Sequence, residues 1–261
     1  MVVVYLGALV LLLVAAFWRL DPLTALIQKD WSLGNFRILI EDEVYRTIAV
    51  RTLGLALAVT AVDLLLAFPI AYYAARIARP RTRTIVLLAV VLPLWASYLV
   101  RVYAWRVILA GNGLMNWALD KVHLGSIHVG FTNWAILIVF CYLWLPFVIL
   151  PIYSALERIP SSLVEASGDL GARWSTTFRR VILPVALPGL AAGSIFSFSL
   201  TLGDYIVPNL VGNTFFIGNV VEQSVGVANN VPFGAAFAIV PVAIMAIYLT
   251  IARKMGAFEA L

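Results

Sequence analysis

The stretch Glu157–Pro184, ERIPSSLVEASGDLGARWSTTFRRVILP, is the longest polar interruption in the second half of a very apolar chain. Ser162 and Glu165 have the Ser-x-x-Glu spacing of a capping box, in which each side chain pairs with an otherwise free backbone N–H. The first helix then continues to Leu170. Gly171 is placed to end it, because glycine adopts the left-handed conformation at little cost.

The second half of the stretch predicts another short helix. It starts at Ser175 and ends at Pro184, because proline lacks an N–H and clashes with the preceding helical turn. Phe178, Arg179 and Arg180 lie along it. The whole stretch therefore predicts a helical hairpin on the membrane surface that offers apolar and basic side chains to a partner. An ordinary amphipathic connector is the alternative.

Composition places the chain in a membrane. Of its 261 residues, 63% are hydrophobic and only 12% are charged, against about 45–50% apolar in an average soluble domain. The formal charge of +5 bears on membrane topology, since basic residues collect on the cytoplasmic side; it does not indicate nucleic-acid binding. The lone cysteine, Cys141, has no partner for an internal disulfide.

Six apolar segments are long enough to cross a bilayer, at about 20 residues per span. The first span belongs to a segment, 1–46, that continues into a periplasmic loop. No basic n-region of the kind found in signal peptides precedes this span, so we expect a true membrane helix. The core 47–252 holds the others, and 253–261 is a cytoplasmic tail. The predicted spans are Val2–Trp18, 47–75, 84–109, 132–153, 185–207 and 234–252.

Charge asymmetry orients these spans. Ten Lys or Arg residues fall on the side of Glu165, and five fall on the other side, so both termini and the hairpin are expected in the cytoplasm. On the outer side, 20–46 predicts a surface helix or strand. The segment 208–232 predicts a short re-entrant helix, because irregular backbone at membrane depth needs protein or water beside it.

Four ionisable residues lie within the predicted spans, where charge is costly and marks candidate function. Asp63 is expected to form a buried hydrogen bond between spans. Arg101 and Asp204 fall at a similar outer level when counted at 1.5 Å per residue, so they could meet; for Arg101, structural and functional roles stay equally open. Arg106 is expected to extend to the headgroups.

The candidate solute pathway contains acids and aromatic rings near the outer ends of the spans. An anionic group in a low-dielectric cavity attracts a cation, and ring faces attract ammonium groups, although Tyr and Trp are also enriched at any membrane interface. A structural role for each acid is the alternative. The candidates are Asp204, Tyr205, Glu222, Arg101 and Tyr98.

The Glu157–Pro184 stretch resembles the EAA loop of permease subunits of ATP-binding-cassette (ABC) importers. That motif is Glu-Ala-Ala, three residues, Gly, nine residues, Ile, one residue, Leu-Pro. Here Ser167 replaces the second Ala and Val181 replaces Ile. The resemblance implies contact with an ATP-hydrolysing subunit through Leu163, Glu165, Ala166, Ser167, Leu170, Gly171, Phe178 and Pro184.

Further stretches are similar to spermidine/putrescine-type permeases. They are SYLVRVYAW at 97–105, LGDYIVPNLVG at 202–212, IGNVVEQ at 217–223 and VPFGAA at 231–236. One departure is Val231, where the family often has Trp before Pro-Phe-Gly. The resemblance covers most of 47–252 and implies an all-α, type I ABC importer permease fold with six spans in the bacterial inner membrane.

The resemblance also implies partners. These are a pair of ATP-binding cassette subunits, a second homologous permease, a periplasmic solute-binding protein and membrane lipid, with no nucleic acid and no cofactor. The chain has no Gly-x-x-x-x-Gly-Lys-[Ser/Thr] phosphate loop, so its expected role is transmission rather than ATP hydrolysis. The expected solute is a small cation such as a polyamine; another amine-bearing or amino-acid-like solute is the alternative.

Two other functional classes fit the sequence less well. A secondary transporter predicts inverted repeats with broken helices at matching positions, and the sequence has no such symmetry. A membrane-embedded enzyme would need a catalytic or metal centre. His123 and His128 share an outer loop, but one cysteine and no supporting carboxylate pair argue against such a centre.

Overall fold

The computed structural model describes residues 2–21, 23–123, 125 and 127–254. The predicted tail 253–261 therefore lies outside the described residues from 255 onward. A two-residue antiparallel hairpin pairs β1 (Arg19–Leu20) with β2 (Ile27–Gln28). The α-helices are α1 Val2–Ala15, α2 Gly34–Glu41, α3 Glu43–Tyr72, α4 Pro80–Val91, α5 Tyr98–Leu109, α6 Leu114–Lys121, α7 Asn133–Glu157, α8 Ser161–Asp169, α9 Trp174–Thr177, α10 Leu183–Gly203, α11 Ile206–Val211, α12 Ile217–Glu222 and α13 Val231–Lys254.

Four helical segments in the described part of the chain are long and apolar enough to cross a membrane. They are Glu43–Ile77, Asn133–Glu157, Trp174–Gly203 and Val231–Arg253. They match the second, fourth, fifth and sixth predicted spans. The first predicted span is a shorter helix that ends at Ala15, not at Trp18. The count of six spans and the position of both termini stay predictions.

The third predicted span, 84–109, is broken into two helical segments. The segments Pro80–Trp95 and Tyr98–Lys121 meet at a bend of 97°. Pro93 lies in a 3-10 turn that ends the first segment, because proline cannot continue the backbone ladder. Ser97 then begins α5 as its N-cap, and its hydroxyl accepts a hydrogen bond from the Val100 N–H at 3.3 Å.

Helix α7 is the centre of the molecule. It packs against both α3 and α10, and it contributes thirteen buried residues. One hydrophobic cluster surrounds Phe140 near its first half, and another surrounds Ile152 near its second half. Because a transmembrane helix satisfies its own backbone groups, its association with neighbours depends on side-chain packing and close approach.

Two glycines let α10 approach α7 closely. A Cβ on Gly189 would lie 2.6 Å from the Pro151 carbonyl oxygen and 2.7 Å from the Ala155 Cβ. A Cβ on Gly193 would lie 2.9 Å from a methyl carbon of Val148. Small residues at such a contact are typical of helix pairs in membranes. This contact aligns the two helices that carry the ends of the Glu157–Pro184 stretch.

Gly189→Ala should therefore destabilise the protein. Overpacking of this kind costs about 1–3 kcal/mol, which exceeds the gain of up to about 1 kcal/mol from helix propensity. Gly54→Ala is the matched control, because nothing lies within 4 Å of a Cβ at that position in α3. Thermal unfolding in detergent should show a lower midpoint for Gly189→Ala alone. Equal midpoints would contradict the assigned contact.

Candidate functional site

The EAA loop, Glu157–Pro184, folds as two helical arms joined at Gly171. The glycine has φ of +73°, in the left-handed region as predicted. The Ala172 N–H donates to the Ser167 carbonyl at 3.0 Å and the Gly171 N–H donates to the Gly168 carbonyl at 2.8 Å. These two bonds form a Schellman motif, which satisfies the last carbonyls of α8.

The predicted capping box does not form. Helix α8 begins at Ser161 with Pro160 as its N-cap, and no side chain caps it. Ser162 therefore lies inside the first turn instead of before it, so its hydroxyl is not placed to pair with the N–H three residues later. Glu165 is exposed. The prediction of a helix here is confirmed, but the prediction that a Ser162–Glu165 capping box begins it is wrong.

A hydrogen bond joins the two arms side by side. The hydroxyl oxygens of Ser167 and Thr177 lie 2.7 Å apart. Ser167 is the position where this chain departs from the family's alanine, and alanine could not form this bond. The departure therefore adds a polar contact between α8 and α9.

Both ends of the EAA loop are attached to the membrane helices. Arg76, just beyond α3, donates to the Ile159 carbonyl at 2.7 Å. Arg83 of α4 forms an ion pair with Glu157, and its guanidinium lies 5.2 Å from the centre of the Tyr153 ring. These contacts connect the start of the loop to α3, α4 and α7.

The second arm is attached through aromatic rings. Phe178 meets Phe68 of α3 edge-on with ring centres 5.5 Å apart, and Trp174 meets Tyr72 at 5.9 Å. Phe178 is therefore half-buried and faces α3, so it is not free for a partner in this conformation. Offset and edge-on ring contacts of this kind stabilise packing beyond area burial alone.

The exposed face of the EAA loop is apolar at its tip. Leu170 is 88% exposed and Leu163 is 47% exposed. Glu165, Ala166 and Gly171 are exposed beside them. Exposed leucines on a polar connector are typical of an interaction surface.

Pro184 does not end the second arm. The chain is helical without interruption from Trp174 to Gly203. A π turn at Phe178–Ile182, in which the Leu183 N–H donates to the Phe178 carbonyl, precedes the proline. In a regular α-helix a proline ring clashes with the carbonyl four residues earlier. The wider π turn accommodates the Pro184 ring. The arm is therefore continuous with α10.

At the opposite end of α10, Asp204 follows the last helical residue. The prediction placed it inside a span, but α10 ends at Gly203. One carboxylate oxygen of Asp204 accepts a hydrogen bond from the Val207 N–H at 2.9 Å, and the other accepts from the Tyr98 hydroxyl. Tyr98 also stacks on Trp144 with ring centres 5.9 Å apart. Asp204 thus joins α5 to the end of α10.

Arg101 does not pair with Asp204. Among the described residues it forms no ion pair, and its Nε and Nη1 atoms are buried without a hydrogen-bond partner. The depth count that brought the two residues together assumed a straight third span. The bend at residues 96–97 turns α5 out of that line.

Tyr205 and Glu222 border one groove of about 470 Å³. Glu222 accepts no hydrogen bond within the described residues. Three glycines, Gly203, Gly218 and Gly226, line the same groove, and a Cβ on Gly218 would lie 2.7 Å from the Asp204 carbonyl oxygen. The segment predicted to be a short re-entrant helix contains two short helices, α11 and α12, followed by a π turn.

Asp63 behaves as predicted. It is 0% exposed, and it accepts a hydrogen bond from the Ser197 hydroxyl of α10 at 2.6 Å. Its other oxygen has no hydrogen-bond partner in the described chain. Cys141 is also a buried core residue. Sequence patterns could not identify Ser197 as the partner, because neither serine spacing nor hydropathy encodes which helices meet.

A family model described as a binding-protein-dependent transport system inner membrane component matches residues 44–256. The chain belongs to this family. The inner membrane ABC transporter permease protein YdcU of Escherichia coli K12 is 45% identical over 99% of this chain and 87% of its own length. The spermidine/putrescine permease PotB of Haemophilus influenzae is 34% identical over 80% of this chain and 74% of its own length.

Solved structures show the same fold. A bacterial ABC transporter that imports the acidic polysaccharide alginate has a TM-score of 0.72 at 16% identity, over 97% of this chain and 90% of that one. The MetNI methionine transporter has a TM-score of 0.57 at 19% identity, over 82% and 97%. This permease therefore has the type I ABC importer fold. It is a multi-pass inner-membrane transport subunit, not an enzyme.

Ser197→Ala should destabilise the permease by about 1–3 kcal/mol, because it leaves a buried carboxyl group without its donor. Ser199→Ala is the control, since that hydroxyl bonds only to a carbonyl of its own helix. Thermal unfolding should separate the two variants. A double-mutant cycle with Asp63→Ala should show coupling, and additive effects would contradict the interhelical bond.

Proposed function

We propose that this permease forms the channel of an ATP-driven importer for a small polyamine-like cation, with ATP hydrolysed by a separate subunit. The observation that carries the coupling role is the EAA loop, whose leucine-bearing tip is exposed while its base is bonded to α3, α4 and α7. A complete importer would contain two ATP-binding cassette subunits and a second homologous permease. A periplasmic solute-binding protein would deliver the solute.

The coupling mechanism follows from the connections of the loop. Leu163, Ala166 and Leu170 would enter an apolar groove on the ATP-binding subunit. When that subunit moves, the first arm follows it, and the Ser167–Thr177 bond carries the second arm along. Because the second arm is continuous with α10, and α10 packs closely against α7, its displacement tilts these two helices together. This tilt would alternate access to the pathway between the two sides of the membrane.

Relatives support the partner assignment. One solved structure of the alginate transporter is described as a complex with an alginate-bound periplasmic protein, and its TM-score with this chain is 0.68 at 17% identity. A binding protein would dock at the end of the permease opposite the EAA loop. The lipid bilayer surrounds the remaining apolar faces.

The groove beside α12 supports a slender cationic solute. Glu222 is the only acid that lines it in the described structure, and apolar residues and glycines form the rest. One carboxylate attracts an ammonium group in a low-dielectric site, and an apolar wall fits a methylene chain. PotB relatives are named for spermidine and putrescine transport. We therefore assign Glu222 and Tyr205 to the pathway, and Asp204 and Tyr98 to positioning its wall.

A second candidate is an amino-acid-like solute. Arg101 favours it, because two unpaired guanidinium nitrogens could bind a carboxylate after a rearrangement of α5. A pure polyamine offers no such group. Competition of solute uptake by diamines and by amino acids would distinguish the two candidates.

Gly171→Asp should uncouple the importer. Nothing lies within 4 Å of a Cβ at this position, and aspartate, like asparagine, tolerates the left-handed region better than most residues, so the effect comes mainly from the charge added at the exposed tip. Solute-stimulated ATP hydrolysis by the assembled complex should fall by about tenfold or more, as expected for a central interface residue.

Two variants control for the added charge and for the backbone. Gly168→Asp adds the same charge three residues away, where the φ angle is ordinary and space is open. Gly171→Asn keeps a side chain that tolerates the left-handed region and should retain most activity. Full coupling in Gly171→Asp would refute the role of the loop.

Glu222→Gln should raise the KM of polyamine uptake by about tenfold without changing the unfolding temperature, because it removes a charged partner worth about 1.5–3 kcal/mol. Asp204→Asn should instead lower the unfolding temperature, since it weakens the bonds to Tyr98 and Val207. Glu41→Gln, on the exposed helix α2, is the control. An unchanged KM in Glu222→Gln would remove this residue from the pathway.

A further inference from the structure

A large groove lies at the end of the molecule opposite the EAA loop, where α5, α6 and the start of α7 meet. Its volume is about 960 Å³. It is bordered by Tyr103, Arg106, Trp117 and Phe131, with apolar side chains between them, and no carboxylate lines it. Neither the coupling role nor the solute groove involves it.

The turn between α5 and α6 at one edge of the groove is tightly packed. A Cβ on Gly113 would lie 2.3 Å from the Val107 carbonyl oxygen, and a Cβ on Gly130 would lie 2.5 Å from the Leu109 carbonyl oxygen. Asn116 is 3% exposed; its amide donates to the Gly111 carbonyl at 2.8 Å and accepts from the Ile127 N–H at 2.9 Å. Backbone and side-chain contacts therefore fix the turn between α5 and α6, which borders the groove.

One cation, Arg106, lines this groove, and a second, Lys121, lies beside it over the Trp117 ring. The guanidinium of Arg106 lies 5.8 Å from the centre of the Phe131 ring, and the Lys121 ammonium lies 5.8 Å from the centre of the Trp117 ring. Neither forms an ion pair in the described part of the chain. A cation that faces an apolar groove without a carboxylate partner is complementary to an anionic headgroup attached to an acyl chain.

We propose that this groove binds an anionic phospholipid, with the headgroup phosphate at Arg106 and an acyl chain along the apolar wall. Arginine suits this role because its planar guanidinium pairs with two phosphate oxygens at once. Aromatic side chains at the level of the headgroups complete the site. The positive charge of Arg106 in the groove, with Lys121 beside it, disfavours a free cationic solute and a choline headgroup.

The test uses the assembled importer in detergent, titrated with phosphatidylglycerol or phosphatidylcholine and followed by native mass spectrometry. The wild type should bind phosphatidylglycerol about fivefold more tightly than phosphatidylcholine, as expected for one basic residue near an anionic lipid. Arg106→Gln should lose this preference, and Arg106→Lys should keep only part of it, because an ammonium group cannot pair with two phosphate oxygens in the planar manner of a guanidinium. Arg19→Gln is the control, because Arg19 is exposed in β1 and lies outside the groove.

Three results would overturn the proposal. The first is an unchanged lipid preference in Arg106→Gln. The second is release of the lipid by millimolar inorganic phosphate, which would indicate a site for free anions. The third is efficient cross-linking of Val107→Cys to the second permease subunit, which would show that a protein covers the groove.

Discussion

The close contact between α7 and α10 is the constraint on which the rest of the molecule depends. Lipid offers no hydrophobic driving force between helices, so their association needs short backbone distances. Gly189 and Gly193 provide these distances. The same two helices carry the EAA loop at one end and Asp204 at the other. A closely packed pair of helices thus connects the exposed EAA loop with the far end of α10, where Asp204 lies.

Much of this architecture follows from local sequence. Apolar runs located four of the membrane helices, since hydrocarbon thickness fixes their length, and glycine chemistry predicted the turn at Gly171. The bend at residues 96–97 was missed, because prolines within spans are often absorbed without a break, as Pro146 and Pro151 are in α7. Pro93 and Ser97 together marked the site, as a stop followed by an N-cap.

The candidate pathway was only partly accessible from sequence. Residue type and approximate depth selected Tyr98, Asp204, Tyr205 and Glu222 as candidates for the pathway. They could not show which of these side chains are bonded within the protein and which face an open groove. In the structure, Asp204 is already bonded through both oxygens, whereas Glu222 faces an open groove. Which candidate is bonded and which is open depends on contacts between segments that are distant in sequence. Hydrophobic periodicity and motif spacing do not predict these contacts. The same limit hid the partner of Asp63.

The π turn at Phe178–Ile182 explains why the number of residues between Gly171 and Pro184 matters mechanically. Each residue of an α-helix advances the side-chain direction by about 100°, and a π turn contains one residue more than an α turn. The angular orientation of the first arm about the axis of α10 is therefore determined by residue number and not by a flexible joint. An insertion or deletion of one residue between Gly171 and Pro184 would rotate Leu170 to another direction about the axis of α10 while leaving the part of α10 beyond Pro184 unchanged.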